Sequence, residues 1–321
     1  MNVMITSPGR RVELIEYFKK ELNRYNRKLY TLDMSAMAPA LYFANHWFVI
    51  KKDFNRLDEY IKNIIDICKK NNITTIFTLI DPELVLFRKF ENLFNAAGIN
   101  LFMPDKKFND ETFDKYLFYT NYKNILPSIH TYDDAKNIEN DLPVIAKDRY
   151  GSGSIGINLI ETKEELQKHT NKDNLIFQPK MKDFDEYTVH MYFDSKTSKV
   201  IDIFMAKVLS MRAGESDKAI SVWREDIYNI VSKLQNIKGI KGTINVDIFI
   251  LDDKVYVNEI NPRFGGGYNH AHYCGCDFVS YSVNNILGKR NSPVNNYPNY
   301  ELGVEMMKYN AFFFKKGEHF G

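Results

Sequence analysis

Thiols are scarce. Cys68, Cys274 and Cys276 are the only cysteines in 321 residues, an odd number with no paired spacing, which excludes a disulfide framework and points to reduced thiols in a reducing compartment. Cys274-Gly275-Cys276 lacks the second ligand pair that a zinc site needs, so each thiol reads as a small buried hydrophobe. Long apolar runs are missing too: none approaches the ~20 residues that span a bilayer, and the start MNVMITSPGRR meets Pro, Gly and Arg before a signal-peptide core could form. A cytoplasmic protein without membrane contact is the expectation. Neither charge sign dominates. With 43 Lys and Arg against 41 Asp and Glu, the formal net charge is +2, too thin to build the basic stripe of a nucleic-acid-binding face. No internal repeat or low-complexity segment appears.

What is present is an ordinary globular composition, 44% hydrophobic and 26% charged, in a chain long enough for two or three subdomains. The first hundred residues alternate in type. Apolar runs at Val3 to Thr6, Leu29 to Leu32, Phe48 to Ile50 and Thr75 to Ile80 predict strands, and the patterns from Val12 to Leu22, Leu57 to Lys70 and Leu84 to Ala97 predict helices. Strands separated by helices of this length imply an open parallel sheet whose ligands gather at the carboxyl ends of the strands, where Ser7-Pro8-Gly9-Arg10-Arg11 and Asp81-Pro82-Glu83 fall. A dinucleotide site, with Asp33 at the end of the second strand, is disfavoured, because the first turn holds one glycine, Gly9, where G-x-G-x-x-G asks for three. Beyond Pro104 the pattern changes to short elements, then to longer alternating strands, so a boundary is placed near residue 105.

Two constellations carry chemistry. Val144 to Ile157 reads as strand, loop and strand, in which Gly151, Ser152, Gly153 and Ser154 either let backbone N–H groups approach phosphate oxygens, with Lys147 as a point charge beside them, or form a mobile, solvated hairpin tip; the loop alone favours neither. The polar turn Asp252-Asp253-Lys254 joins two apolar runs, Thr243 to Leu251 and Val255 to Asn261, into a hairpin; Asp194-Ser195-Lys196 does the same for Glu186 to Phe193 and Val200 to Met211. Centring the first turn on Asp253 sets Asp247 opposite Glu259 and Asn245 opposite Asn261, all on one face. Facing carboxylates repel by a few tenths to about 1 kcal/mol unless a cation lies between them. Mg2+ suits such a patch, since it binds few carboxylates directly and completes its shell with phosphates and water.

With these motifs in hand, the chain resembles ATP-grasp proteins of the carbamoyl-phosphate-synthase-large-subunit-like group, the carboxylate-amine ligases. The resemblance covers nearly the whole length. Its carriers are Thr6 to Arg11, Ile80 to Leu84, Asp114-Lys115, Lys147 with its glycine loop, Glu186 to Val189 and Asn258 to Gly267. It implies an α/β fold: an N-terminal open parallel sheet, or pre-ATP-grasp Rossmann-like domain (1–105), a small lobe with the glycine-rich loop (106–180) and a large lobe with the metal site (181–321). ATP and Mg2+, with Mn2+ as a substitute, are the implied cofactors, and a small-molecule carboxylate and an amine or thiol are the implied partners, joined through an acyl phosphate. A homodimer is the implied assembly.

The resemblance also implies roles. Lys115 and Lys147 would bind nucleotide phosphates under the loop from Gly151 to Gly156. Gln178 to Met181 would form the hinge against adenine, with backbone groups of Lys180 and Met181 meeting its edge, and Glu186 would hold the ribose. Asp247, Glu259 and Asn261 would carry Mg2+. Arg263, Arg212, Lys218 and Asn245 would act on the transferring phosphoryl group or the acid. Gln178 departs from the acid of many relatives, and Asn245 stands where some ligases have arginine. Arg10 or Arg11, at the start of a helix, would help to hold an anion. For His270 and His272 two readings stay open, lining of the substrate pocket and, more common for a histidine in such a place, a packing or hydrogen-bonding role. Two other readings stay open: a bicarbonate-activating subunit, against which there is no biotin-carrier segment or second ATP-grasp copy, and a non-catalytic nucleotide-binding module.

Overall fold

The computed structural model describes residues 1–138, 140–151 and 156–316. The chain opens with five parallel strands, β1 (Asn2–Thr6), β2 (Leu29–Asp33), β3 (His46–Val49), β4 (Ile73–Thr78) and β5 (Asn100–Leu101), in the order β3-β2-β1-β4-β5. Four helices connect them: α1 (Val12–Asn23), α2 (Leu57–Lys70), α3 (Asp81–Lys89) and α4 (Glu91–Ala96). Helix α2 buries Tyr60, Ile61, Ile64, Ile65 and Cys68, a stripe at helical spacing, with acids in its first turn and lysines in its last. The helix expected from Leu84 to Ala97 starts earlier and is two helices. Pro82 in the first turn, where its missing N–H has no partner to lose, lets α3 begin at Asp81, and Phe90 leaves helical geometry between α3 and α4. Asp33, placed where a dinucleotide domain would hold a ribose, accepts instead from the Gly9 N–H at 3.2 Å.

Helices α5 (Lys106–Phe113) and α6 (Lys115–Tyr122) lead to a three-stranded antiparallel sheet, β6 (Val144–Asp148), β7 (Asn158–Ile160) and β8 (Leu175–Pro179), with α7 (Lys163–Gln167) between the last two. A second sheet is larger. Strands β9 (Asp185–Phe193), β10 (Val200–Arg212), β11 (Glu215–Ser221), β12 (Gly242–Leu251), β13 (Lys254–Asn261) and β14 (Glu305–Met307) run antiparallel in the order β13-β12-β9-β10-β11-β14. Helices α8 (Glu225–Val231), α9 (Tyr268–Tyr273) and α10 (Phe278–Ile286) complete the fold, so the open parallel sheet followed by a two-lobed α+β unit is as expected.

Alternation along β1 places Val3 and Ile5 on one face and Met4 on the other, each in a different core. On the first face α1 packs through Phe18 onto Phe264, with ring centroids 5.5 Å apart, and joins α10 through Phe278 and Val279. This shared core fixes the carboxyl end of the parallel sheet against the end of β13, where the polar residues gather. Among the described residues no helix is long and apolar enough to cross a membrane.

Candidate functional site

The β12–β13 hairpin sets the site. Its turn is Asp252-Asp253, both at positive φ, which matches the twist of a two-residue hairpin, and it pairs Leu251 with Lys254. That centre lies half a residue before the one expected. A bulge at Asn258 then restores the expected partners, Asp247 opposite Glu259 and Asn245 opposite Asn261. Strand β9 extends the rows, with Thr188 beside Asp247 and His190 beside Asn245.

The rows are knitted by side-chain bonds. Thr188 Oγ1 donates to Asn245 Oδ1 at 2.7 Å, and Asn245 Nδ2 donates to Asp247 Oδ1 at 2.8 Å. Asn261 Nδ2 lies between the acids, 3.2 Å from Asp247 Oδ2 and 3.3 Å from Glu259 Oε1. Burial and the neighbouring charges of Glu259 and Glu186 push Asp247 well above the usual carboxylate range. Burial acts on Glu259 as well, but Lys147, Lys115, the Asn261 amide and Arg263 outweigh it and hold that carboxyl down. Burial and Glu259 raise Glu186.

This arrangement fits a divalent cation. An amide N–H between two half-buried carboxylates is a weak substitute for a positive charge, and cation binding would let both acids ionise. Two carboxylates and an amide cannot close a coordination sphere alone, and the described residues contain no group of three or more His, Cys, Asp or Glu placed to hold a metal. The donor set therefore suits Mg2+ shared with phosphate oxygens. Asn261 Oδ1 accepts from Arg263 Nη2 at 2.9 Å, so this amide would turn over to become a ligand.

Two lysines face the patch from the small lobe. Lys147, on β6, reaches Asn258 Oδ1 at 3.4 Å, and burial, opposed by Glu259 and aided by Lys115, brings it down to about 8. Lys115 opens α6, and its Nζ donates to the Gly151 carbonyl. Asp114 explains why. It caps the helix at the N–H groups of Tyr116 and Leu117 and holds Arg149 with two bonds, of 2.8 and 2.7 Å, tying the start of the glycine loop to α6. Ser152, Gly153 and Ser154 lie outside the described residues.

At the hinge, Gln178 is buried and donates to Thr131 Oγ1 at 2.9 Å, so its side chain turns inward. The Lys180 N–H is held by the Pro143 carbonyl at 2.9 Å, which leaves its carbonyl and the Met181 backbone for a ligand.

Arg263, just after β13 of the six-stranded sheet, reaches the end of the parallel sheet. It meets Asp81 Oδ2 through Nε at 2.9 Å and Nη2 at 2.8 Å; burial disfavours its charge, but Asp81, Glu259 and Asp247 raise it above its ordinary value. It borders an open cleft lined by Asp81 and Arg11 of the parallel-sheet region together with Glu186, Asn245, Asp247, Glu259, Asn261 and the Met211–Ser216 turn. Arg212 and Lys218 do not line this cleft. Arg212 is 60% exposed and pairs with Asp217 at 3.3 Å, and Lys218 points to solvent, because two bulges in the β10–β11 hairpin break the alternation that would aim them inward. His270 bonds the Val304 carbonyl at 2.9 Å and His272 stacks on Tyr17, neither in the cleft. Thr188, Glu215 and Asn258 are the polar neighbours that sequence reasoning did not assign; strand alternation from Glu186 would have found Thr188.

Comparison with known proteins agrees with this fold. Residues 3–102 match the model of a PylC-like N-terminal domain and residues 112–267 that of an ATP-grasp domain. A D-alanine–D-alanine ligase of a Nitratiruptor species is 28% identical over 155 residues, 43% of this chain and 45% of the relative. The match therefore spans less than half the length of that protein. The N5-carboxyaminoimidazole synthetase of Staphylococcus aureus superposes with a TM-score of 0.70 at 16% identity, over 90% of this chain and 77% of that one. The biotin carboxylase domain of the Hydrogenobacter thermophilus 2-oxoglutarate carboxylase, with MgADP, ADP and bicarbonate, gives 0.73 at 17%, over 95% and 73%. At these identities the two structures speak for the fold.

Proposed function

The chain is an ATP-grasp protein with a PylC-like N-terminal domain, and from that premise we propose that it is an ATP-dependent carboxylate-amine ligase working through an acyl phosphate. The observation that carries this reading is the half-buried Asp247–Glu259 pair at the cleft, held ready for a cation with Lys147 and Lys115 beside it. Mg2+ bound there would neutralise phosphate charge in the transfer step.

The chain's own groups do the rest. Lys147 and Lys115 hold the phosphates of ATP, and the glycine loop that Asp114 and Arg149 anchor covers them and keeps water from a labile acyl phosphate. Glu186 takes the ribose hydroxyls, and the Lys180 and Met181 backbone meets adenine. Asn245 orients Asp247 through its 2.8 Å bond. Arg263, steadied by Asp81, is aimed at the charge that develops on the acid or the phosphoryl group. Residues 1–105 act as the domain that closes the acid side of the cleft, 106–180 as the small lobe and 181–321 as the large lobe. The substrates are a small carboxylic acid and an amine, the compartment is the cytoplasm, where three free thiols persist, and the proposed assembly is a homodimer, as the Hydrogenobacter domain is described.

The test is phosphate release from MgATP by the full chain against pools of amino acids, other small carboxylic acids and bicarbonate, with Glu259→Gln as the blank. Release that needs both an acid and an amine, and falls by about 10²–10³ in the variant, is expected. Release with bicarbonate alone would replace the acid, and MgATP binding without turnover on any pool would reduce the chain to a nucleotide-binding module.

A further inference from the structure

The wall of the cleft opposite the carboxylate pair has charges that do not close on one another, and their chemistry deepens the ligase reading on which this inference rests. Arg11, just before α1, donates from Nη1 to the Phe264 carbonyl at 2.9 Å. Its Nη2 stands 3.7 Å from Glu215 Oε1, an ion pair beyond hydrogen-bond reach. The other oxygen of Glu215 already holds an ammonium, that of Lys308, at 2.9 Å. Asp81 is also half used. Its Oδ2 takes both bonds from Arg263, while Oδ1 is buried without a hydrogen-bond partner among the described residues, on a side chain at the edge of the cleft.

Glu215 reaches this position because residue 266 is glycine. A Cβ there would stand 2.5 Å from the Glu215 carboxyl carbon and 2.7 and 2.8 Å from its oxygens, so any side chain would drive the carboxylate away. The cleft thus presents a guanidinium with free donor capacity 3.7 Å from a carboxylate with free acceptor capacity, and a second such carboxylate, Asp81, lines the same cleft. A simple anion would satisfy Arg11 and leave the carboxylates short of a donor; a simple amine would do the reverse. We infer that this wall is a subsite for a zwitterionic amino acid, its carboxylate on Arg11 and its ammonium on Glu215. The two charges of an α-amino acid sit on adjacent carbons, which matches the close spacing of Arg11 and Glu215. Asp81 borders the same space as a further acceptor.

The experiment is calorimetric titration of the full chain, loaded with Mg2+ and a non-hydrolysable ATP analogue, with the common L- and D-amino acids. Each binder is followed by its 2-hydroxy-acid counterpart and its decarboxylated amine. At least one amino acid binds, and both analogues bind at least tenfold more weakly. Glu215→Gln weakens the amino acid at least tenfold, and Gly266→Ala, which keeps every charge, does the same by moving the carboxylate; thermal melts show that both variants are folded. A hydroxy acid that binds as well as its amino acid, or unchanged affinity in both folded variants, overturns the subsite. Titration of the nucleotide itself separates the two readings: no nucleotide binding overturns the ligase and the subsite together, whereas nucleotide binding with no amino acid bound overturns the subsite alone.

Discussion

Two regions of the molecule withdraw carboxylates from solvent, fully in one and partly in the other, and they treat them in different ways. At the end of the parallel sheet, Glu83 is fully buried, yet its oxygens accept from Thr6 and Thr78 at 2.7 Å, Tyr60 at 2.9 Å and Lys52 at 2.8 Å. Burial alone would raise its pKa; Lys52 and the two threonines outweigh that and hold it below the ordinary value. On the large sheet, Asp247 and Glu259 face one another, bonded among the described residues to amides and Thr188 but to no cationic side chain; burial with the neighbouring acids drives Asp247 upward, while the charges of Lys147, Lys115 and Arg263 hold Glu259 down. A buried acid that the chain satisfies from its own donors is part of the scaffold. A half-buried acid pair left for an outside cation to satisfy is suited to a functional site.

The sharpest way to break this contrast is to neutralise each site and measure unfolding in urea. Glu83→Gln leaves the Lys52 ammonium, 8% exposed, without a counter-charge and is expected to cost about 3–5 kcal/mol. Asp247→Asn removes a repulsion and is expected to stabilise the metal-free chain by about 1 kcal/mol at pH 7. Equal losses at both positions would erase the distinction.

The pH dependence carries opposite signs. The folded pKa of Glu83 lies below its ordinary value of 4.5, so its contribution is present above that pH and is lost as pH falls toward the depressed folded value. The folded pKa of Asp247 lies well above 3.8, so its protonated form favours the fold at low pH, and that contribution is lost as pH rises through the folded pKa. The gain from Asp247→Asn is therefore expected to shrink toward zero as pH is lowered below about 4. A gain that stays constant from pH 7 to pH 4 would mean that the repulsion is not its source.

Much of this is legible in the chain, unevenly. Periodicity yields the α2 helix to the residue, because a stripe of five buried side chains leaves little freedom. It misses the break at Phe90, where no proline or glycine marks the change. A turn centred on Asp253 predicts the pairing of Asp247 with Glu259, whereas the real turn is Asp252-Asp253 and the bulge at Asn258 makes up the difference. A bulge depends on contacts from elsewhere, here Lys147 from another sheet, and no local pattern announces it. Glu215 is harder still, since its place depends on Gly266, Arg11 and Lys308, which are distant in sequence.

The same test of burial extends to cations, and here the expected effects are smallest. Lys147 is 9% exposed, and Arg263 is bound to Asp81, Asn261 and the Phe264 carbonyl at the edge of the cleft, so each is held where phosphate or acid charge would collect. Arg212 and Lys218, whose roles the same resemblance implies, lie outside the cleft, Arg212 pairing with Asp217 at 3.3 Å. If position relative to the cleft decides function, Arg212→Ala and Lys218→Ala change stability within about 0.5 kcal/mol and alter kcat/KM for ATP by no more than about twofold, the equivalent of about 0.4 kcal/mol. Steady-state ADP release checks this. A tenfold loss in either variant would mean that the β10–β11 turn swings inward once substrates bind, and that the exposed pair belongs with the buried one.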